Sequence, residues 1–98
     1  MDMESLMAQA AELQNKVAVA QEQLAATVVK GIAANGECIV DLSGKYDLLK
    51  LVINPDVLAR GTDVVADVVM AAYNDAKTKA DAVIDRVMGA AIAGVSLP

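Results

Sequence analysis

Apolar side chains stand at Met3, Leu6, Ala10, Leu13, Val17, Ala20 and Leu24, spaced alternately three and four residues apart without exception. A repeat averaging 3.5 residues keeps a narrow seam against another helix, whereas a helix lying on a sheet shows a wider stripe. Glu4, Gln9, Glu12, Asn15, Lys16, Gln21, Glu22 and Gln23 fill the positions between, and no Gly or Pro interrupts them. A helix over about residues 2–26 is about 36 Å long at 1.5 Å per residue, more than the globule of a short domain spans. Two placements are open: a helix lying on the chain's own sheet, or one that projects and meets a second helix. The narrow seam favours the second.

The next segment changes period. Gly31, Asn35, Gly36, Gly44 and Pro55 punctuate short β-branched runs at 27–33, 37–42 and 48–53. Ala34-Asn35-Gly36 predicts a hairpin turn, because Asn and Gly tolerate positive φ. Residues 43–47 predict a second turn, and three strands so joined form an antiparallel meander. Alternation puts Cys38, Val40 and Leu42 on one face of the second strand, and Leu49, Leu51 and Ile53 on one face of the third. These read as core. Ile39 and Val52 sit among charges on the opposite face, a mixture that suits a sheet half covered by a partner.

Asn54-Pro55-Asp56 ends the third strand, because proline cannot donate to a ladder. Residues 57–60 read as one loose helical turn. Gly61-Thr62-Asp63 opens a second long helix, with Thr62 as N-cap and Asp63 suited to the positive end of the dipole. Val65, Val68, Val69, Ala72, Ala76, Ala80, Val83 and Val87 form its apolar stripe, and Gly89 is expected to end it. The predicted fold is α+β: long N-terminal helix, three-stranded antiparallel meander, long C-terminal helix (α-β-β-β-α). One domain covers residues 1–88, and 89–98 form a loosely ordered tail of small residues.

Composition says why such a chain would pair with a copy of itself. Of its 98 residues, 56% are hydrophobic, yet Phe and Trp are absent and only Tyr46 and Tyr73 are aromatic. Small side chains remove little area from water, at about 25 cal/mol per Å², so a monomer this short is marginal and dimerisation is a common remedy. A lone Cys38 excludes an internal disulfide and fits a reducing compartment. The first residues show no basic signal-peptide region, and the uncharged stretch 87–98 is too short and Gly-rich to span a bilayer. The chain is therefore expected in the cytoplasm and away from membranes.

Catalysis finds no support. Histidine is absent, which removes the commonest general base and metal ligand. One cysteine cannot build a four-ligand zinc site, and Cys38 reads as a small core residue. Gly31 and Gly36 have P-loop spacing, but Glu37 stands where the phosphate-binding Lys belongs. The pairs Asp63/Asp67 and Asp81/Asp85 lie four apart on an exposed helix face. The chain reads as a non-enzyme.

Two stretches carry a resemblance. Val52-Ile53-Asn54-Pro55-Asp56-Val57-Leu58 is followed, 18 residues after Ile53, by Ala71-Ala72-Tyr73-Asn74-Asp75-Ala76. Together with Val29-Lys30-Gly31 in the first strand and the Leu97-Pro98 ending, they resemble the YbaB/EbfC family of bacterial nucleoid-associated proteins over nearly the whole chain. The resemblance implies an α/β homodimer with projecting helices, needing no cofactor. It further implies binding of double-stranded DNA with little sequence preference, in the bacterial cytoplasm at the nucleoid. Members often carry several Lys and Arg in the first helix and after the Asn-Asp-Ala stretch. Here the first helix has only Lys16, and Lys77, Lys79 and Arg86 are interleaved with Asp81 and Asp85.

Lys16, Lys77, Lys79 and Arg86 are thus the candidate phosphate contacts. The competing reading is ordinary i,i+4 surface pairing, Lys77 with Asp81 and Asp75 with Lys79. The net charge is −5, which repels phosphate backbones at long range, so binding is expected to be weak and salt-sensitive. The alternative function is an acidic dimeric interaction module whose projecting helices hold a protein partner through the seam.

Overall fold

The structure, a computed structural model, describes residues 2–93. It contains α1 (Met3–Ala26), β1 (Val28–Ala33), a 3-10 turn (Ala34–Gly36), β2 (Cys38–Ser43), β3 (Leu48–Ile53), α2 (Pro55–Leu58) and α3 (Thr62–Ala93). The strands form one antiparallel sheet in the order β1-β2-β3. This is the α-β-β-β-α order that seam and alternation predict.

Local chemistry sets the boundaries. The Asp2 carboxylate accepts from the Ser5 N–H at 2.7 Å and caps α1. That hydrogen bond holds the Asp2 carboxyl below its ordinary value. At the other end, the Gly44 N–H donates to Leu24 O at 2.9 Å and to Thr27 O at 3.0 Å, tying the end of α1 to the end of β2. A Cβ on Gly44 would lie 2.6 Å from Leu24 O, so only glycine allows this approach. The first hairpin turns where Asn-Gly predicts, through left-handed Ala34, Asn35 and Gly36 at φ of 52°, 57° and 91°. Asn54 caps α2 by accepting from the Asp56 N–H at 2.9 Å, with Pro55 in the first turn, where its missing N–H costs nothing.

The core forms where α3 crosses β1 and β2. A Cβ on Gly31 would collide with the Ala72 carbonyl and lie 2.6 Å from the Ala76 Cβ. Helix and strand are therefore nearly in backbone contact, and Ala72, Ala76 and Ala80 are fully buried against Cys38, Val40 and Leu42. Close approach gives a chain without Phe or Trp its packing density.

Beyond the sheet, α3 runs on beside α1. The extents are 67 × 17 × 17 Å and the radius of gyration is 19.1 Å, against roughly 13 Å for a compact chain of this length. The seam helix projects and meets another helix, as its period predicts, and that helix is the chain's own α3. Ala20 and Leu24 are buried, Leu13 and Val17 half-buried, and Met3, Leu6 and Ala10 exposed.

Two expectations need correction. Gly89 does not end α3, which continues to Ala93. The residues after it, Ala90 to Ala93, are mostly alanine, the best helix former, and the Gly89 backbone shows no left-handed φ. Residues 89–93 of the expected tail are therefore helical, and 94–98 lie outside the described residues. The expected core face of the third strand is covered only at its end: Ile53 is half-buried against the core, but Leu49 and Leu51 are exposed. The register shifts between Asp41 and Leu42, so that Lys50 faces Asp41 but Leu48 faces Leu42, and alternation fails at Leu49. In addition, α3 packs over β1 and β2 and scarcely reaches β3.

These glycines give opposite expectations in urea unfolding. Gly31→Ala drives a methyl into the α3 backbone and should cost about 3 kcal/mol. Gly89→Ala meets nothing within 4 Å and should gain about 0.5–1 kcal/mol as an interior helix position.

Candidate nucleic-acid interface

The candidate cations fall at three places. On α1, Lys16 lies 3.4 Å from Glu12. It shares a groove with Arg86 on α3, floored by Val19, Ala20, Val87 and Ala91. This is the α1–α3 arm, and Lys16 and Arg86 are the two candidates that the fold brings together.

Lys77 sits at the second hairpin turn. Its ammonium lies 3.7 Å from Asp81 and 5.9 Å from the centre of the Tyr46 ring. The Tyr46 hydroxyl donates to Asp81. That hydrogen bond, with burial and the charges of Asp81 and Asp85 adding, pushes the phenol's pKa up. Tyr46 is left-handed at φ 66°. Behind it, the buried Ser43 hydroxyl accepts from the Lys45 and Asp47 N–H groups, both at 3.1 Å. Lys77, Tyr46 and Asp81 thus fasten the turn to α3.

Lys79 and Asp75 reach the outer edge of β1, an arrangement that sequence reasoning missed. The Asp75 carboxylate accepts the Ile32 N–H at 2.9 Å, and Lys79 donates to the Lys30 carbonyl at 2.8 Å. The two side chains are themselves paired at 3.0 Å. They supply the acceptor and donor that a fourth strand would have supplied. The available signal was position: Asp75 directly precedes Ala76, the alanine that rests on Gly31.

Lys30 pairs with Asp41 at 3.0 Å, and Arg60 grips both Glu37 oxygens at 3.0 and 3.1 Å. Among the described residues, Lys45, Lys50 and Arg86 have no carboxylate within 4.0 Å. The i,i+4 pairs are real. Exposed pairs of this kind are worth about 0.3–0.5 kcal/mol, so an arriving phosphate can displace the carboxylate at small cost.

No other chemistry gathers. Cys38 is fully buried, and burial pushes its thiol's pKa up. Among the described residues, no group of three or more Cys, Asp or Glu side chains could hold a metal ion, and no helix is long and apolar enough to cross a membrane.

Comparison with known proteins agrees with this fold. A sequence profile described as the YbaB/EbfC DNA-binding family matches residues 1–95. A nucleoid-associated protein of Rhodospirillum rubrum is 37% identical over 94 residues, covering 95% of this chain and 88% of the relative. One from Bordetella avium is 40% identical over 93 residues, covering 95% and 86%. One from Gluconobacter oxydans is 41% identical over 95 residues, covering 95% and 88%. The crystal structure of an uncharacterised Helicobacter pylori protein superposes with a TM-score of 0.77 over 95% of this chain and 96% of that one, at 20% identity. That likeness shows the fold.

The β1 clamp predicts a pH dependence. The Ile32 N–H first, and then Lys79, hold the Asp75 carboxyl below its ordinary value. A folded pKa below the unfolded value of about 3.9 gives stability that is present above that value and lost as pH falls through the folded one. Thermal melts of Asp75→Asn should show a lower Tm at pH 7. Its decline between about pH 4 and 2 should be shallower than the wild type's, with the part due to Asp2 remaining.

Proposed function

This chain belongs to the YbaB/EbfC DNA-binding family, and on that premise we propose that it acts as a homodimer that coats duplex DNA through phosphate contacts, with little sequence preference. The observation that carries this reading is the convergence of Lys16 and Arg86 on one groove of a projecting arm. A helical arm standing clear of the sheet can lie along a duplex. Pairing two chains doubles its cations, which a chain of charge −5 needs. Base-edge readout favours bidentate donors held in a fixed geometry. Two long, mobile side chains on the arm suit phosphates better. Lys77 and Lys79 are secondary contacts, since the turn and the β1 edge also engage them. The protein works in the bacterial cytoplasm at the nucleoid, as a binding protein and not an enzyme, without a cofactor.

A second reading has its own observation. The far part of the α1 seam, at Met3, Leu6 and Ala10, is exposed, as is Met7. An apolar arm end of this kind fits a protein partner, and it is the form the function takes if DNA affinity is absent.

Gel shifts on mixed-sequence duplex at about 50 and about 200 mM salt separate the two. Four phosphate contacts, Lys16 and Arg86 from each copy, give a slope of log K on log salt of about −3.6, or roughly a hundredfold loss across this range. Arg86→Ala should make the slope shallower by about 1.8. No shift at either salt would remove the DNA reading and leave the seam as the functional surface.

A further inference from the structure

The groove between α1 and α3 offers more than two charges. Its volume is about 500 Å³, within the roughly 300–1,000 Å³ of sites that take small organic ligands. Val19 and Ala20 of α1 and Val87 and Ala91 of α3 form its floor. Val19 is 46% exposed, and Val87 and Ala91 are only half-buried. The chain's own side chains therefore leave this floor uncovered. A phosphate satisfies the cations and leaves the floor wet. An occupant that uses the whole groove has an anionic head and an apolar body.

Arg86 defines the head. The chain carries 13 Asp and Glu against 8 Lys and Arg, yet among the described residues no carboxylate lies within 4.0 Å of Arg86. A guanidinium presents two parallel donors that match the two oxygens of a carboxylate. Lys16 stands on the other helix, 3.4 Å from Glu12 in an exposed pair, and such a pair exchanges partners at small cost. Both side chains can lay their alkyl stems along the floor and hold their charges at its rim.

We propose that this groove binds a medium-chain monocarboxylate, with the carboxylate on Arg86 and Lys16 and the alkyl chain along Val19, Ala20, Val87 and Ala91. The site goes beyond the DNA reading and does not depend on it, since the ligand binds with no nucleic acid present. Each methylene is worth about fourfold in affinity when fully covered and about twofold when half-covered. Affinity therefore climbs with chain length, which a site built on charge alone does not do.

The test is a titration of isotope-labelled protein, without DNA, followed by residue-resolved amide spectra. The probes are hexanoate, octanoate and decanoate, each below the concentration at which it forms micelles, and inorganic phosphate. Shifts should gather at Val19, Ala20, Val87 and Ala91. Decanoate should bind about 4- to 16-fold more tightly than octanoate, and phosphate should not reproduce its shifts. Arg86→Gln removes the head contact and should weaken decanoate about tenfold or more. Val19→Glu sets a like charge on the floor at an exposed position where Glu favours the helix at least as well as Val, and should weaken it too. Equal affinity for the three carboxylates, or shifts that phosphate reproduces, would reduce the groove to a charge site and overturn the proposal. Absence of binding, or shifts centred on the exposed Leu49 and Leu51 and indifferent to both variants, would overturn it as well.

Discussion

The whole arrangement depends on how closely α3 approaches β1 at Gly31. A chain whose only aromatics are two tyrosines cannot fill a core with large side chains. It packs by removing side chains from the contact, glycine on the strand and Ala72 and Ala76 on the helix. Three consequences follow from that one crossing. The core stays narrow, over β1 and β2. Asp75 and Lys79 come within reach of the β1 edge. The helix is also aimed so that its C-terminal half leaves the sheet beside α1.

Much of this was legible in the sequence, and the parts that were not share a cause. The heptad showed that α1 meets a helix; the seam from Leu13 to Leu24 gives no sign of which helix, because period describes one partner's surface and not the other's identity. Alternation sorted Cys38, Val40 and Leu42 correctly, since β2 is central and regular. It misread Leu49 and Leu51, because alternation says which residues share a face and is silent on what covers that face. The register shift at Leu42 lies between strands and leaves no mark on either strand alone. Gly89 misled because a helix-ending glycine and a tolerated interior glycine look alike until the helix has something to lie against. The i,i+4 partners of Lys77 and Lys79 were readable from spacing; the contact of Lys79 with the Lys30 carbonyl, 49 residues away in sequence, was not.

The Ala-Ala-Tyr-Asn-Asp-Ala stretch that marks the family has a structural meaning here. Ala72 and Ala76 make the close crossing, and Asp75 closes the strand edge. None of them is a cation, so the motif reports how the body is built, while Lys16 and Arg86, the candidate phosphate contacts that share a groove, lie on the arm. The two can vary independently. That explains how an acidic chain keeps the fold in full with few basic residues. The same helix thus makes the core and closes one sheet edge from within.

The central claim is that side chains of α3 stand in for a fourth strand at β1. Residue-resolved amide hydrogen exchange at neutral pH tests it at one atom, the Ile32 N–H, which is bonded to Asp75 and to no strand. The account predicts that Ile32 exchanges as slowly as amides paired within the sheet, such as that of Val40, and that Asp75→Ala makes it fast while Val40 stays protected. Fast exchange at Ile32 in the wild-type protein would contradict the account, because the β1 edge would then be as open as any unpaired strand.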